Sequence, residues 1–173
     1  MDRHDNTERF EGLYEATYQD VLAYCRRRVP IDDADDVVSA TYVVAWRRLD
    51  DVLSADTPIA WLYGVAYRTI GNHRRGSGRL ASLRTKLRWS PPQRVVSPED
   101  EVEISENVSR ALGALESLTP KDQELIRLAV FEDLSRAEIG VVVGLSPAAV
   151  ATRLYRARTQ LRRAFDTDEG GPK

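Results

Sequence analysis

Five arginines, Arg153, Arg156, Arg158, Arg162 and Arg163, crowd together near the C-terminal end, and no acid interrupts them before Asp166. A guanidinium presents a fork of donors that matches phosphate oxygens, or the O6 and N7 of guanine, two at a time. The residues ahead of them matter as much. Ser135-Arg136-Ala137-Glu138 has the spacing of a capping box and opens a short helix to about Val143. Gly144 can adopt the left-handed conformation of a tight turn. Ser146 then caps a longer helix with Pro147 at its first position. Ile139, Val142, Leu145, Val150 and Leu154 are spaced to pack the two helices together. A short helix, a glycine turn and an arginine-rich second helix form a helix-turn-helix pattern, whose second helix lies in the DNA major groove. Its early residues face base edges, and its arginines reach bases or phosphates. A capping box or an arginine-rich helix alone is usually an ordinary solvated helix; the combination points to DNA.

A second cationic stretch lies upstream. Residues 61–94 carry eight basic and no acidic side chains, whereas residues 1–60 are net −6, 95–138 net −7 and 139–173 net +3, giving −2 in all. Arg68, His73, Arg74, Arg75 and Arg79 stand in this stretch together with Trp61 and Tyr67. Two basic blocks around an acidic one suggest two docking places for a polyanion. The pI of about 5.8 argues against a generic nucleic-acid coat.

Other chemistries have little to stand on. One cysteine, Cys25, and two histidines, His4 and His73, preclude an internal disulfide framework and a Cys/His zinc site, and a lone thiol fits a reducing cytoplasm. No Gly-rich phosphate loop, His-x-x-x-His pair or nucleophile elbow occurs, and nothing nominates partners for a carboxylate site among Asp32–Asp36. Neither an enzyme, a cofactor, a metal nor a small-molecule substrate is expected. No apolar run approaches a membrane span, and Met1–Phe10 is too acidic and polar for a secretory signal, so no membrane insertion is expected.

The elements that position these residues read as helices throughout. Phe10, Leu13, Tyr14, Thr17, Val21 and Tyr24 recur at helical spacing over 7–29, with Cys25 beside the stripe, Arg26–Arg28 at the C-terminal end and Pro30 after it. Asp32 and Asp33 are suited to cap a helix over about 33–50 with Val37, Val38, Thr41, Val44, Ala45 and Leu49 inward. A loop follows over 51–57, then a helix from Pro58 to about His73 with Ile59, Leu62, Ala66, Tyr67 and Ile70 inward. Gly76-Ser77-Gly78 breaks it, and Ser90-Pro91-Pro92 and Ser97-Pro98 have linker composition. Helices over 102–117 (Val108, Leu112, Leu115) and 120–132 (Leu125, Ile126, Ala129, Val130) lead into the helix-turn-helix. The expectation is an all-α chain of two small domains, 1–88 and 102–173, joined by a flexible linker at 89–101.

At this point the chain resembles a bacterial sigma-70 family RNA polymerase sigma factor of the extracytoplasmic-function (ECF, group four) class. Asp35-Asp36-Val37-Val38 through Ala45-Trp46-Arg47 resembles the family's core-polymerase-binding helix, and Pro58-x-x-Trp61-Leu62-Tyr63-x-Val65-Ala66 its −10 reading helix. Leu115-x-x-Leu118, Leu125, Glu138-Ile139, Gly144-Leu145-Ser146-Pro147 and Arg153-Leu154-Tyr155-Arg156-Ala157-Arg158 resemble its −35 reading domain.

The resemblance implies that Asp36 meets the β′ clamp helices of core polymerase; Ser39 and Ala40 stand where relatives often carry Gln and Glu. It implies that melted −10 DNA is held by a loop at Leu53, Ser54, Ala55, Asp56 and Thr57 with Trp61, Arg68, Arg74 and Arg75 nearby. Arg68 replaces a frequent Asn and so suits phosphate rather than amide-type base reading. It implies that Ala148, Ala149, Thr152, Tyr155 and Arg156 face the −35 duplex, with Arg156 the foremost base contact, Arg153 and Arg158 on phosphates or neighbouring carboxylates, and Ala151 where relatives often carry Lys or Arg. The implied partners are core polymerase (β′ clamp helices and β flap), promoter DNA and an anti-sigma factor. A freestanding helix-turn-helix regulator is the competing reading; it calls for an upstream α/β receiver or ligand module, of which residues 1–75 show no sign.

Overall fold

The computed structural model describes residues 3–86, 113–115 and 117–167, with side chains over 4–72, 113–115 and 117–163. The expected linker, Val108 and Leu112 lie outside the described residues. Among those described there is no strand. The helices fall into two units.

The first unit contains α1 (Arg3–Arg26), α2 (Ile31–Arg47), α3 (Leu49–Leu53) and α4 (Pro58–Lys86). α2 packs against both α1 and α4. The apolar stripes fix this arrangement: Leu13, Val21 and Tyr24 from α1, Val37, Val38 and Ala45 from α2, and Leu62, Ala66 and Ile70 from α4 are buried, and Cys25 is fully enclosed with them.

Several boundaries differ from the sequence expectation. α1 ends at Arg26, and Arg28 is no exposed helix-end cation. It is buried, its guanidinium lies 3.6 Å from the Tyr24 ring centroid, and its Nη1 donates to the Tyr24 carbonyl at 3.0 Å. The N-cap of α2 is Pro30, without a side-chain cap bond. Asp32 and Asp33 sit inside the first turn, where they favour the helix through its dipole rather than by capping. α2 stops at Arg47 because Arg48 leaves helical conformation (φ −127°, ψ 40°). The chain then re-enters a helix, so the expected loop over 51–57 contracts to four residues, Ser54–Thr57. α4 continues through Gly76-Ser77-Gly78 to Lys86. Each helical glycine costs about 1 kcal/mol relative to alanine, and the Arg, Leu, Ala and Lys residues that follow favour continuation, with no proline before Pro91.

One buried polar pair crosses the core of this unit. The Thr17 hydroxyl donates to the Leu13 carbonyl at 2.6 Å, so Tyr42 is left as the donor in its 2.8 Å contact with Thr17 Oγ1. Burial pushes the Tyr42 phenol up from 10 to about 12. The folded state thus holds its proton more tightly than the unfolded chain. Its contribution is complete below pH 10 and is lost as pH rises toward 12. Thermal melts of wild type and Tyr42→Phe from pH 8 to 12 are expected to differ most at pH 8, where the hydrogen bond is intact, and to converge toward pH 12. Parallel decline of the two proteins would assign the alkaline loss to other groups.

The second unit contains α5 (Pro120–Val130), the first half of α6 (Arg136–Val143), whose residues from Gly140 on group with the first unit, and α7 (Pro147–Thr167), preceded by helical residues 113–115. α5 packs on α7, and Leu125, Leu128, Ile139, Val150, Leu154 and Ala157 are buried. α5 ends two residues earlier than expected, and Val130, assigned inward from the sequence, is 64% exposed. Leu128 takes the inward place instead.

Candidate nucleic-acid interface

The helix-turn-helix forms as its local chemistry dictates. The Ser135 N–H donates to Glu138 Oε2 at 2.8 Å, and the Glu138 N–H donates to Ser135 Oγ at 3.3 Å, completing the capping box. Gly144 has φ +71°, a conformation that an L side chain adopts only with strain, and so it can end α6 sharply. The Ala149 N–H donates to Ser146 Oγ at 3.2 Å, and α7 leaves at 98° to α6. That angle is within the range of helix-turn-helix pairs.

With 100° per residue, the buried Val150, Leu154 and Ala157 define one side of α7. The opposite side carries Ala148, Thr152, Tyr155 and Arg156, all exposed, Tyr155 at 73%. Ala149 is half-buried beside them. The Thr152 hydroxyl donates to the Ala148 carbonyl at 3.1 Å, which leaves its oxygen lone pairs and methyl outward.

The two flanking arginines part company. Arg153 turns toward α5, its Nε 3.7 Å from Asp122 Oδ1. Arg158 is exposed but lies about 120° around the cylinder from Thr152. A shallow groove of about 360 Å³ runs along Tyr155, Arg156, Thr159, Gln160 and Arg163. It extends the exposed face one turn beyond the sequence reading, which did not include Thr159 or Gln160. The repeat 152, 155/156, 159/160, 163 was the signal available for them.

In the first unit, Leu53 is the last residue of α3 and half-buried, not a loop residue. Ser54 and Asp56 are exposed and Ala55 half-buried. Trp61, one turn into α4, is half-buried. Arg48 lies over it with Cζ 5.6 Å from the ring centroid and is itself fixed by Asp51, Nε to Oδ2 at 2.7 Å. Arg68 is exposed and, seven residues beyond Trp61, lies on the same side of α4 about 10 Å further along. The side chains of His73, Arg74, Arg75 and Arg79 lie outside the described residues.

α2 presents a different surface. Asp36, Ala40, Val43 and Arg47 fall on one line of its exposed side at spacings of four, three and four, with Ser39 and Trp46 along one edge. Val43 is 49% and Trp46 45% exposed. An exposed valine in register with exposed charges was readable as a residue off the apolar stripe, and the sequence reading did not pick it out. Phe10 meets Trp46 edge-on at 5.1 Å, which fixes the indole at the border of this face.

Among the described residues, no three His, Cys, Asp or Glu side chains gather as a metal site, and no single helix is long and apolar enough to cross a membrane. The fold and its faces define an all-α protein with a helix-turn-helix unit and a separate helical unit that carries an aromatic and cationic helix.

Comparison with known proteins narrows that class. Residues 13–80 match Sigma-70 region 2, and residues 109–161 match Sigma-70, region 4. The chain is 31% identical over 173 residues to the RNA polymerase sigma factor CnrH of Cupriavidus metallidurans, covering 93% of this chain and 89% of that one. It is 29% identical over 156 residues to the RNA polymerase sigma factor YlaC of Bacillus subtilis, covering 88% and 90%. Its fold is similar to the sigma factor RpoE of Bartonella quintana, solved with the anti-sigma factor NepR (TM-score 0.67, 20% identity, 92% of this chain and 98% of that one). It is also similar to CnrH solved with the cytosolic domain of CnrY (TM-score 0.59, 26% identity, 92% and 88%). The chain belongs to the sigma-70 family of RNA polymerase sigma factors, in its extracytoplasmic-function class. The match of the first unit to region 2 removes the basis for a freestanding helix-turn-helix regulator.

Proposed function

We infer that this chain binds core RNA polymerase and gives it promoter specificity, with residues 1–88 serving polymerase and the −10 element, residues 89–101 as linker and residues 102–173 serving the −35 element. The observation that carries the reading is the α7 surface: a capped, sharply turned helix whose side opposite the core is a line of exposed small, aromatic and guanidinium side chains. Ala148, Ala149 and Thr152 allow close approach to base edges, and Tyr155 and Arg156 supply contact surface and a bidentate donor. Arg158 serves phosphate.

In the first unit, Ser54, Ala55 and Asp56, with Leu53 behind them, frame a melted base. Trp61 offers a ring, and Arg68, Arg74 and Arg75 neutralise its phosphates. Asp36, Ser39 and Ala40, with Val43, dock on the β′ clamp helices, and the second unit meets the β flap. RNA synthesis remains polymerase chemistry; the chain performs no catalytic step and needs no cofactor, and it acts in the cytoplasm where polymerase is. Two proteins of the same fold are solved in complexes, RpoE with the anti-sigma factor NepR and CnrH with the cytosolic domain of CnrY, and an anti-sigma factor is the corresponding partner here.

Run-off transcription with purified core polymerase, on the DNA upstream of the chain's own gene, tests the reading. Transcripts that require the chain are expected. Absence of both transcripts and co-purification with core polymerase, from folded protein on a verified promoter, would overturn it.

A further inference from the structure

α5 begins with Thr119 as its N-cap. The Asp122 N–H donates to Thr119 Oγ1 at 3.3 Å, and the Thr119 hydroxyl donates to Asp122 Oδ2 at 2.6 Å. One carboxylate oxygen is therefore committed to the cap. The other, Oδ1, lies 3.7 Å from Arg153 Nε on α7. The Asp122 side chain is 22% exposed and that of Arg153 39%, so the pair is half withdrawn from solvent. A second tie lies on the same edge of α7, seven residues further on: Gln160 Nε2 donates to the Ser117 carbonyl at 3.3 Å. Arg153 and Arg156 are three residues apart and so are neighbours on the helix surface. Arg156 faces outward, whereas Arg153 is held back toward α5.

We propose that Asp122 is a positioning residue that sequesters Arg153 from the DNA backbone, so that α7 presents one cation fewer to phosphate than its sequence supplies. This rests on the reading of α7 as the duplex-binding helix. Every phosphate contact adds affinity that is blind to sequence and sensitive to salt. Asp122 thereby lowers the hold of this domain on arbitrary DNA without touching the base-facing side chains. Because its first oxygen is fixed by Thr119, the carboxylate cannot follow Arg153 toward the groove.

Asp122→Asn separates the two roles, since the Asn side-chain oxygen still accepts from Thr119 while the charge is gone. The full chain is titrated onto a matched −35 duplex and a random-sequence duplex across a salt series. For Asp122→Asn, log K against log salt is expected to steepen by about 0.9 on both duplexes, as for one added phosphate contact. Affinity for the two should rise by the same factor, leaving their ratio unchanged. In Asp122→Asn/Arg153→Gln the slope should return to the wild-type value.

An unchanged slope in Asp122→Asn, with an unaltered melt, would reduce Asp122 to a helix cap and overturn the proposal. So would a slope flattened by a full unit in Arg153→Gln alone, because Arg153 would then already be on phosphate. If Arg156→Ala and Arg163→Ala also have no effect on either duplex, the reading of α7 as the duplex-binding helix falls, and the proposal with it.

Discussion

Asp36→Arg is expected to weaken assembly with core polymerase by about tenfold to a hundredfold, roughly 1.4–2.8 kcal/mol. Asp36 is exposed on α2, in line with Ala40, Val43 and Arg47. Reversal at such a position replaces an attraction with a repulsion across the interface. It leaves the helix alone, because exposed substitutions away from caps and buried networks usually change stability by no more than about 0.5 kcal/mol. The check is a competition pull-down on core polymerase, with a melt of the same protein beside it. Loss of assembly with an unchanged melt assigns Asp36 to the interface; undiminished assembly would remove it. Val43→Ser should act in the same direction, since an exposed valine at the centre of a docking line contributes burial that serine does not.

Arg156→Ala is expected to cost promoter selectivity, whereas Arg163→Ala should weaken binding to every sequence alike. Both line the shallow groove with Tyr155, Thr159 and Gln160, but they are seven residues apart, about 10 Å along the axis. A helix entering the major groove by its N-terminal turns brings the earlier residue to base edges and carries the later one out to the backbone. A bidentate guanine contact contributes about 1–3 kcal/mol of discrimination. One phosphate contact lowers affinity evenly and flattens the salt slope by about one unit. Matched and mutated −35 duplexes across a salt series separate the two effects. Equal losses on all duplexes for Arg156→Ala would make it a backbone contact and rotate the proposed register.

The helix-turn-helix was legible because its signals are local. Ser135 with Glu138, Gly144, and Ser146 before Pro147 each fix backbone geometry within a few residues, and each forms as read. The inward stripes of α1, α2 and α4 were largely legible for a similar reason, since helical period alone selects them; Tyr14, read into the α1 stripe, is instead 38% exposed. What escaped depends on other parts of the chain. The kink at Arg48 and the short α3 depend on how α2 reaches α4, and no residue type there announces a break. Gly76-Ser77-Gly78 reads as a stop by propensity, but the cost is small against a run of helix formers. Arg28 looked like a surface cation at a helix end; only the packed structure shows its guanidinium over Tyr24. Likewise, the sequence left Arg153 between phosphate and carboxylate, and only the approach of α5 to α7 brings Asp122 beside it.

The enclosure of Cys25 makes the protein its own stability gauge. Its thiol is fully buried within α1, and the chain contains no other cysteine. A maleimide or disulfide reagent can therefore react only when the first unit opens. Where opening and closing outpace the reagent, the labelling rate reports the equilibrium fraction opened, as amide exchange does. Helices α5–α7 contain no thiol and stay silent. The opening of the first unit can thus be followed at working temperature, without denaturant, while DNA or a protein partner is added to the intact chain. Any partner that grips the first unit would slow the reaction in proportion to its occupancy.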